Sequence, residues 1–172
     1  MAPSGSEPGQ SVLATRQDQQ RFRMAAPNSR PRDAVLVGLD PAACDLAVRL
    51  AAERPERRRA FDLSHEQMRS VLDVQFWLTA AAARTSALSE AVGEANLVVV
   101  IASAGTNAQG LPIVADICRA RGKWITAVVV GARTQDETSI ASTLAQLRPS
   151  AAMVVVADRD FYLSDMLLAL QA

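Results

Sequence analysis

The chain has 172 residues, with eighteen basic side chains against eighteen acidic ones. A formal charge of zero supplies no global field to hold nucleic acid or an anionic membrane. Apolar residues reach 49% and aromatics only 4%, so small aliphatic side chains must fill the core. Seventeen of the basic residues are Arg; Lys123 is the sole lysine and His65 the sole histidine, which excludes a site built from several histidines.

Residues Met1–Arg32 are rich in Pro, Ser, Gly, Gln and Arg and hold little that could pack. They carry five arginines against Glu7 and Asp18, a net charge of +3, whereas residues 33–172 carry −3. The composition predicts a disordered basic tail at 1–32, with a short helix over Val12–Arg23 compatible with its pattern, followed by one domain at 33–172. Keeping the protein soluble is the plainest role for such a tail; folding back on the acidic body and binding a partner are the alternatives. No apolar run reaches the ~18 residues of a membrane span, and the polar start is not a secretory signal. Cys44 and Cys118 fit no zinc or C-x-x-C spacing and read as buried free thiols. A cytoplasmic location is expected.

Ala34–Gly38 reads as a buried strand, and Asp40-Pro41 opens a helix as N-cap and first-turn proline. Arg54–Arg59 reads as a charged connection and Ala60–Leu63 as a short strand. Ser64 with Gln67 forms a capping box opening a helix through Leu72. Thr79–Ala95 is an alanine-rich helix. Asn96–Ala102 is a continuous apolar strand, the pattern of a strand covered on both faces. The small-residue loop Ser103–Gly110 leads into the helix Leu111–Arg121, stopped at Gly122. Trp124–Val130 and Ala151–Ala157 read as further strands, and Thr138–Leu147 and Phe161–Leu170 as helices. Alternating strands and helices predict a three-layer, Rossmann-like α/β domain, a mostly parallel sheet with helices on both faces.

In such sheets ligands bind beyond the carboxyl ends of the strands. The strand-to-helix loop "SAGTNAQG" is the best candidate. Gly105 and Gly110 allow tight turns and close backbone approach, Thr106 and Asn107 offer polar groups beside Ser103, and the amides opening the next helix suit a phosphate. After the first strand Gly38 stands without the rest of a G-x-G-x-x-G pattern, and Asp40 reads as an N-cap whose carboxylate would repel phosphate. Asp158 and Asp160 at another carboxyl-end loop could hold Mg²⁺ or act in acid–base work, but helix capping is the simpler reading. His65 reads as a cap or surface residue, and no histidine is identified for Ser103 or Ser150, so no triad is supported. No catalytic residue and no metal ligand is assigned.

The run Glu94–Val130, "EANLVVVIASAGTNAQGLPIVADICRARGKWITAVVV", resembles the nucleotide-binding domain of the FtsZ/tubulin family. In that family a strand leads into a GGGTGTG-type loop, a helix of the type A-P-V-V-A-E-I-A-x-x-L-G, and a Val-rich strand. "PIVADICRARG" has the same spacing. "AVLVG" is similar to the family's first strand, "FDLSHEQM" to its second strand and following segment, with Gln67 on a family glutamine, and "LAQLRPSAAMVVVADRD" to the stretch ending in an Asn-Asp turn. The resemblance covers about residues 33–172. It implies GTP or GDP as the ligand and Gly38, Ser103, Gly105, Thr106, Asn107 and Gly110 as the binding positions. Both glycine loops depart from the pattern. Asn107, Ala108 and Gln109 replace the rest of the Gly-Thr signature, which restricts close phosphate approach. The chain also stops where the family's central helix and second domain would begin, and that part carries the loop that activates water. The resemblance therefore implies a stand-alone domain acting through a protein partner or self-association, with GTP binding weak or lost and no self-contained hydrolysis, leaning away from an enzyme. The alternative is a small nucleotide- or sugar-phosphate-binding protein or enzyme using Ser103–Gly110.

Overall fold

The computed structural model describes residues 31–64, 74–157, 160–170 and 172. Residues 1–30 of the basic tail, His65, Gln67, the helix expected through Leu72 and the Asp158–Arg159 pair lie outside these residues. The compact body spans Pro31–Ala172.

Among the described residues, five strands alternate with five α-helices: β1 (Ala34–Gly38), α1 (Pro41–Glu53), β2 (Arg58–Asp62), α2 (Val74–Glu94), β3 (Leu97–Ser103), α3 (Leu111–Ala120), β4 (Ile125–Val130), α4 (Glu137–Leu147), β5 (Met153–Ala157) and α5 (Asp160–Ala169). The strands pair in parallel in the order β2-β1-β3-β4-β5. Each strand's side chains alternate between two cores, because successive residues point to opposite faces. Ala34 and Leu36 of β1 join Leu46, Leu50, Leu163 and Leu167 under α1 and α5. Val35 and Val37 join Leu88, Val92, Val114 and Leu147 under α2, α3 and α4. Both faces are covered, which is why the strands read as unbroken Val-rich runs. The expected three-layer α/β architecture is the one observed, and its cores are small aliphatics.

Most element boundaries fall within two residues of the sequence reading, and the start of α2 departs further. Helix α2 begins at Val74, five positions before Thr79. Arg58 and Arg59 belong to strand β2 rather than to a charged connection. Arg58 is 2% exposed. Its guanidinium donates to the Leu50 carbonyl (2.9 Å), to Glu53 (2.9 Å) and to a backbone oxygen of Ala172 (2.8 Å). An arginine can lie buried when its donors have acceptors, and composition cannot reveal that. The sole lysine is also structural: Lys123 Nζ donates to the Ala95 carbonyl (2.7 Å) just past the end of α2. Gly122, with φ of 63°, ends α3 in the left-handed turn expected of it.

Candidate functional site

The strand order reverses direction between β1 and β3. The chain steps outward from β1 to β2, then returns to the other side of β1 for β3. At such a reversal the loops leaving the two central strands diverge and open a crevice. The candidate binding positions Gly38 and Ser103–Gly110 sit on these two loops.

Gly38 ends β1. A Cβ there would lie 2.5 Å from both Cα and N of Cys44, so only hydrogen fits. Its absent side chain lets α1 pack directly against the strand end. Leu39 then extends the ladder by one bond to the Ile101 carbonyl (3.0 Å). Asp40 adopts extended backbone, caps α1, and accepts from the Ala43 amide through Oδ1 (3.0 Å), as the Asp-Pro pair predicts.

The cap does more than the sequence suggests. Gly38 is in register with Ile101, which brings Ser103, two residues further on, beside Asp40. The Ser103 amide donates to Asp40 Oδ2 and its hydroxyl to Oδ1, each at 2.7 Å. The Thr106 hydroxyl lies 2.7 Å from the Ser103 carbonyl and 3.2 Å from Asp40 Oδ2; with one proton to give, it serves the nearer. Asp40 is only 7% exposed, so the fold itself places a buried carboxyl group at the N-terminus of α1, where a bound anion would otherwise sit.

The rest of the loop is tied to α4. Gly105, at φ of 83°, turns its amide to Thr143 Oγ1 (3.0 Å), and the Ala108 amide donates to Gln146 Oε1 (2.9 Å). The amides of Ala104, Thr106 and Leu111 bond to the carbonyls of Val130, Ser103 and Ala108 at 2.8, 3.2 and 3.0 Å. Gly110 precedes α3 and packs on Leu63, while Asn107 is exposed. Of the predicted binding positions, Ser103 and Thr106 meet at Asp40; Gly38 and Gly110 face packed neighbours; Asn107 stands apart. A phosphate entering this corner would have to displace Asp40 and strip Thr143 and Gln146 from the loop amides. Asp40, Thr143 and Gln146 thus compete with any phosphate for the amides of Ser103, Gly105 and Ala108, while α3 begins after Gly110 without a side-chain cap.

No family model and no curated protein matches the chain.

Asp40 as a shared acceptor, and Thr143 and Gln146 as loop anchors, were missed by sequence reasoning. Asp40 had a local signal, its proline-backed cap, but no spacing rule links residue 143 to residue 105. A second carboxylate at the strand ends was also missed. Asp62 Oδ1 accepts from the Ser64 amide (2.7 Å), the Ser64 hydroxyl (2.7 Å) and Cys44 Sγ (3.0 Å). Burial works to raise the Asp62 carboxyl, but the bonds from Cys44 and Ser64, with the charge of Arg84, outweigh it and hold the group below its ordinary value. Burial, reinforced by Asp62, pushes the Cys44 thiol up to about 12, and burial pushes Cys118 up to about 11. Both thiols are free and buried, as expected. Neither is a nucleophile near neutral pH, because the thiolate is the reactive form. At pH 8 Cys44 should react with a thiol reagent such as DTNB roughly three orders of magnitude more slowly than an ordinary thiol and Cys118 roughly two, with full reaction on unfolding. Fast labelling of Cys44 in the folded state would contradict this burial. Among the described residues no group of three or more His, Cys, Asp or Glu side chains gathers to hold a metal ion, and no helix is long and apolar enough to cross a membrane.

Proposed function

We propose that this chain holds an FtsZ/tubulin-like domain that works by binding a protein partner or its own copies in the cytoplasm. GTP or GDP binding is weak or lost, and there is no self-contained GTP hydrolysis. One observation carries this reading: much of the polar corner at the ends of β1 and β3 is bonded within the chain. Asp40 holds the Ser103 amide and the amide of Ala43. Thr143 and Gln146 hold those of Gly105 and Ala108. A bound phosphate would replace these short bonds with others and add repulsion from Asp40, so little net free energy remains to drive binding. Shape and chemistry at the molecular surface are then what the domain offers.

A thermal-shift titration tests this directly, since a ligand that binds the folded state raises its melting temperature with occupancy. Millimolar GTP, GDP and inorganic phosphate should each shift the wild-type midpoint by less than about 1 °C, which corresponds to a few tenths of a kcal/mol for a chain of this size. A saturable shift of several degrees that disappears in Gly105→Val with the fold intact would overturn the proposal and favour a phosphate-ligand protein using Ser103–Gly110.

A further inference from the structure

The two edges of the described sheet are built differently. Edge strand β2 reads "RRAFD" and is guarded by charge: Arg59 pairs with Glu94, and Arg57 just before the strand pairs with Asp33 at 3.3 Å. Edge strand β5 reads "MVVVA" and carries no charge, no proline and no glycine. Met153 is 49% exposed and Val156 43% exposed, and these two residues lie on opposite faces of the sheet. Met153 is in register with Thr126 and Val155, on the same face, packs with the α1/α5 core, whereas Val154 packs with the other. Natural proteins protect an exposed apolar edge, because its free N–H and C=O groups are a template for another strand.

We infer that β5 is a pairing edge and that its partner is β5 of a second copy, joined antiparallel about a two-fold axis into a ten-stranded sheet. The inference deepens the self-association half of the proposed function and rests on it in that the domain acts through a surface. Three features select a second copy. First, the backbone of an open edge accepts only an extended strand. Second, a two-fold axis opposes identical sequences, and an uncharged strand meets itself without like-charge repulsion. Third, the register centred on Val155 pairs every residue of the strand with a sterically suited one. Val155 faces Val155, Val154 faces Val156, and the long Met153 faces the small Ala157.

The face bearing Met153 extends the contact. On α5, Ser164 bonds to Glu53 of α1 at 3.3 Å, so that flank looks toward β1 and β2. Tyr162 and Met166 lie on the opposite flank, toward the β5 edge, and Tyr162 is 47% exposed. Tyrosine is among the residues enriched in interfaces, where its ring packs and its hydroxyl stays wet.

The experiment is the mass of the full chain in solution, by light scattering behind size exclusion and by sedimentation, from about 5 to 500 μM. Wild type is expected to be a dimer or to dimerise in this range. Val156→Lys and Met153→Lys place a charge on an exposed edge position and are expected to weaken dimerisation at least tenfold, with circular dichroism unchanged. Val155→Cys is expected to form a disulfide-linked dimer under mild oxidation, since antiparallel opposed residues lie within disulfide reach and the native thiols are buried. Hydrogen exchange adds a readout without mutation: β5 amides of wild type should gain protection as concentration rises. A wild-type chain that stays monomeric at 500 μM, or lysine variants that dimerise as well as wild type, overturns the inference. None of these changes touches the Ser103–Gly110 loop. A GTP response therefore reports on the proposed function, and the mass reports on the edge.

Discussion

Replacing Arg58 with alanine should destabilise the domain by about 2–4 kcal/mol. The guanidinium is fully buried and joins three parts of the chain: the end of α1 through Leu50 and Glu53, strand β2 that bears it, and the backbone oxygen of Ala172 beyond α5. Truncation leaves two backbone acceptors without their donor and opens a cavity the size of a long side chain. The ion pair itself contributes little, because the Glu53 carboxylate is 46% exposed and returns to water when its partner is lost. Arg58 Nε has no hydrogen-bond partner among the described residues, so the native arrangement already bears one unsatisfied donor. Arg58→Met fills most of the volume without the donors and should cost less than alanine. Urea unfolding of the two variants separates cavity from hydrogen bonding. A loss below about 1 kcal/mol in Arg58→Ala would show that this buried cluster does not hold the sheet edge to its helices.

Asp40→Ala should cost about 3 kcal/mol in the same urea measurement. Loss of the N-cap accounts for about 1 kcal/mol. The rest comes from the Ser103 amide and hydroxyl, which lose their acceptor at a site nearly closed to water. Asp40→Asn decides between a simple cap and a shared acceptor. Asparagine caps helices as well as aspartate, so a cap-only role leaves the variant near wild type. Its amide nitrogen would instead meet a donor at the position of one carboxylate oxygen, and a loss of about 1–2 kcal/mol is expected from the geometry here. An Asp40→Asn variant as stable as wild type would remove Asp40 from the loop's support and weaken the case that the corner is filled from within.

The pattern of strands and helices is legible in the sequence because it depends on local rules. β3 and β4 read as continuous Val-rich runs, Asp40-Pro41 announces α1, and Gly122 announces the end of α3. The fold class follows, since such strands must be covered on both faces. The loops that would carry a site are legible for the same reason. Reading β2 fails at its first residues because Arg58 and Arg59 look like solvent-exposed charge. The burial of Arg58 in a strand depends on acceptors at Leu50, Glu53 and Ala172, which are far apart in sequence or lie in another element.

Composition, periodicity and turn chemistry thus determined a small-aliphatic α/β domain and pointed to Ser103–Gly110. They also marked the scarcity of lysine and histidine, and Lys123 proved to serve a helix end. Strand order was decided by the tertiary structure, and with it the meeting of Asp40 and Ser103 across 63 positions. The chain's neutral charge count hid an uneven distribution, a guarded edge at β2 and an uncharged one at β5. The physical reason is common to all three. Hydrogen bonds, register and edge exposure belong to pairs of residues brought together by folding, whereas sequence patterns report the neighbours of each residue along the chain.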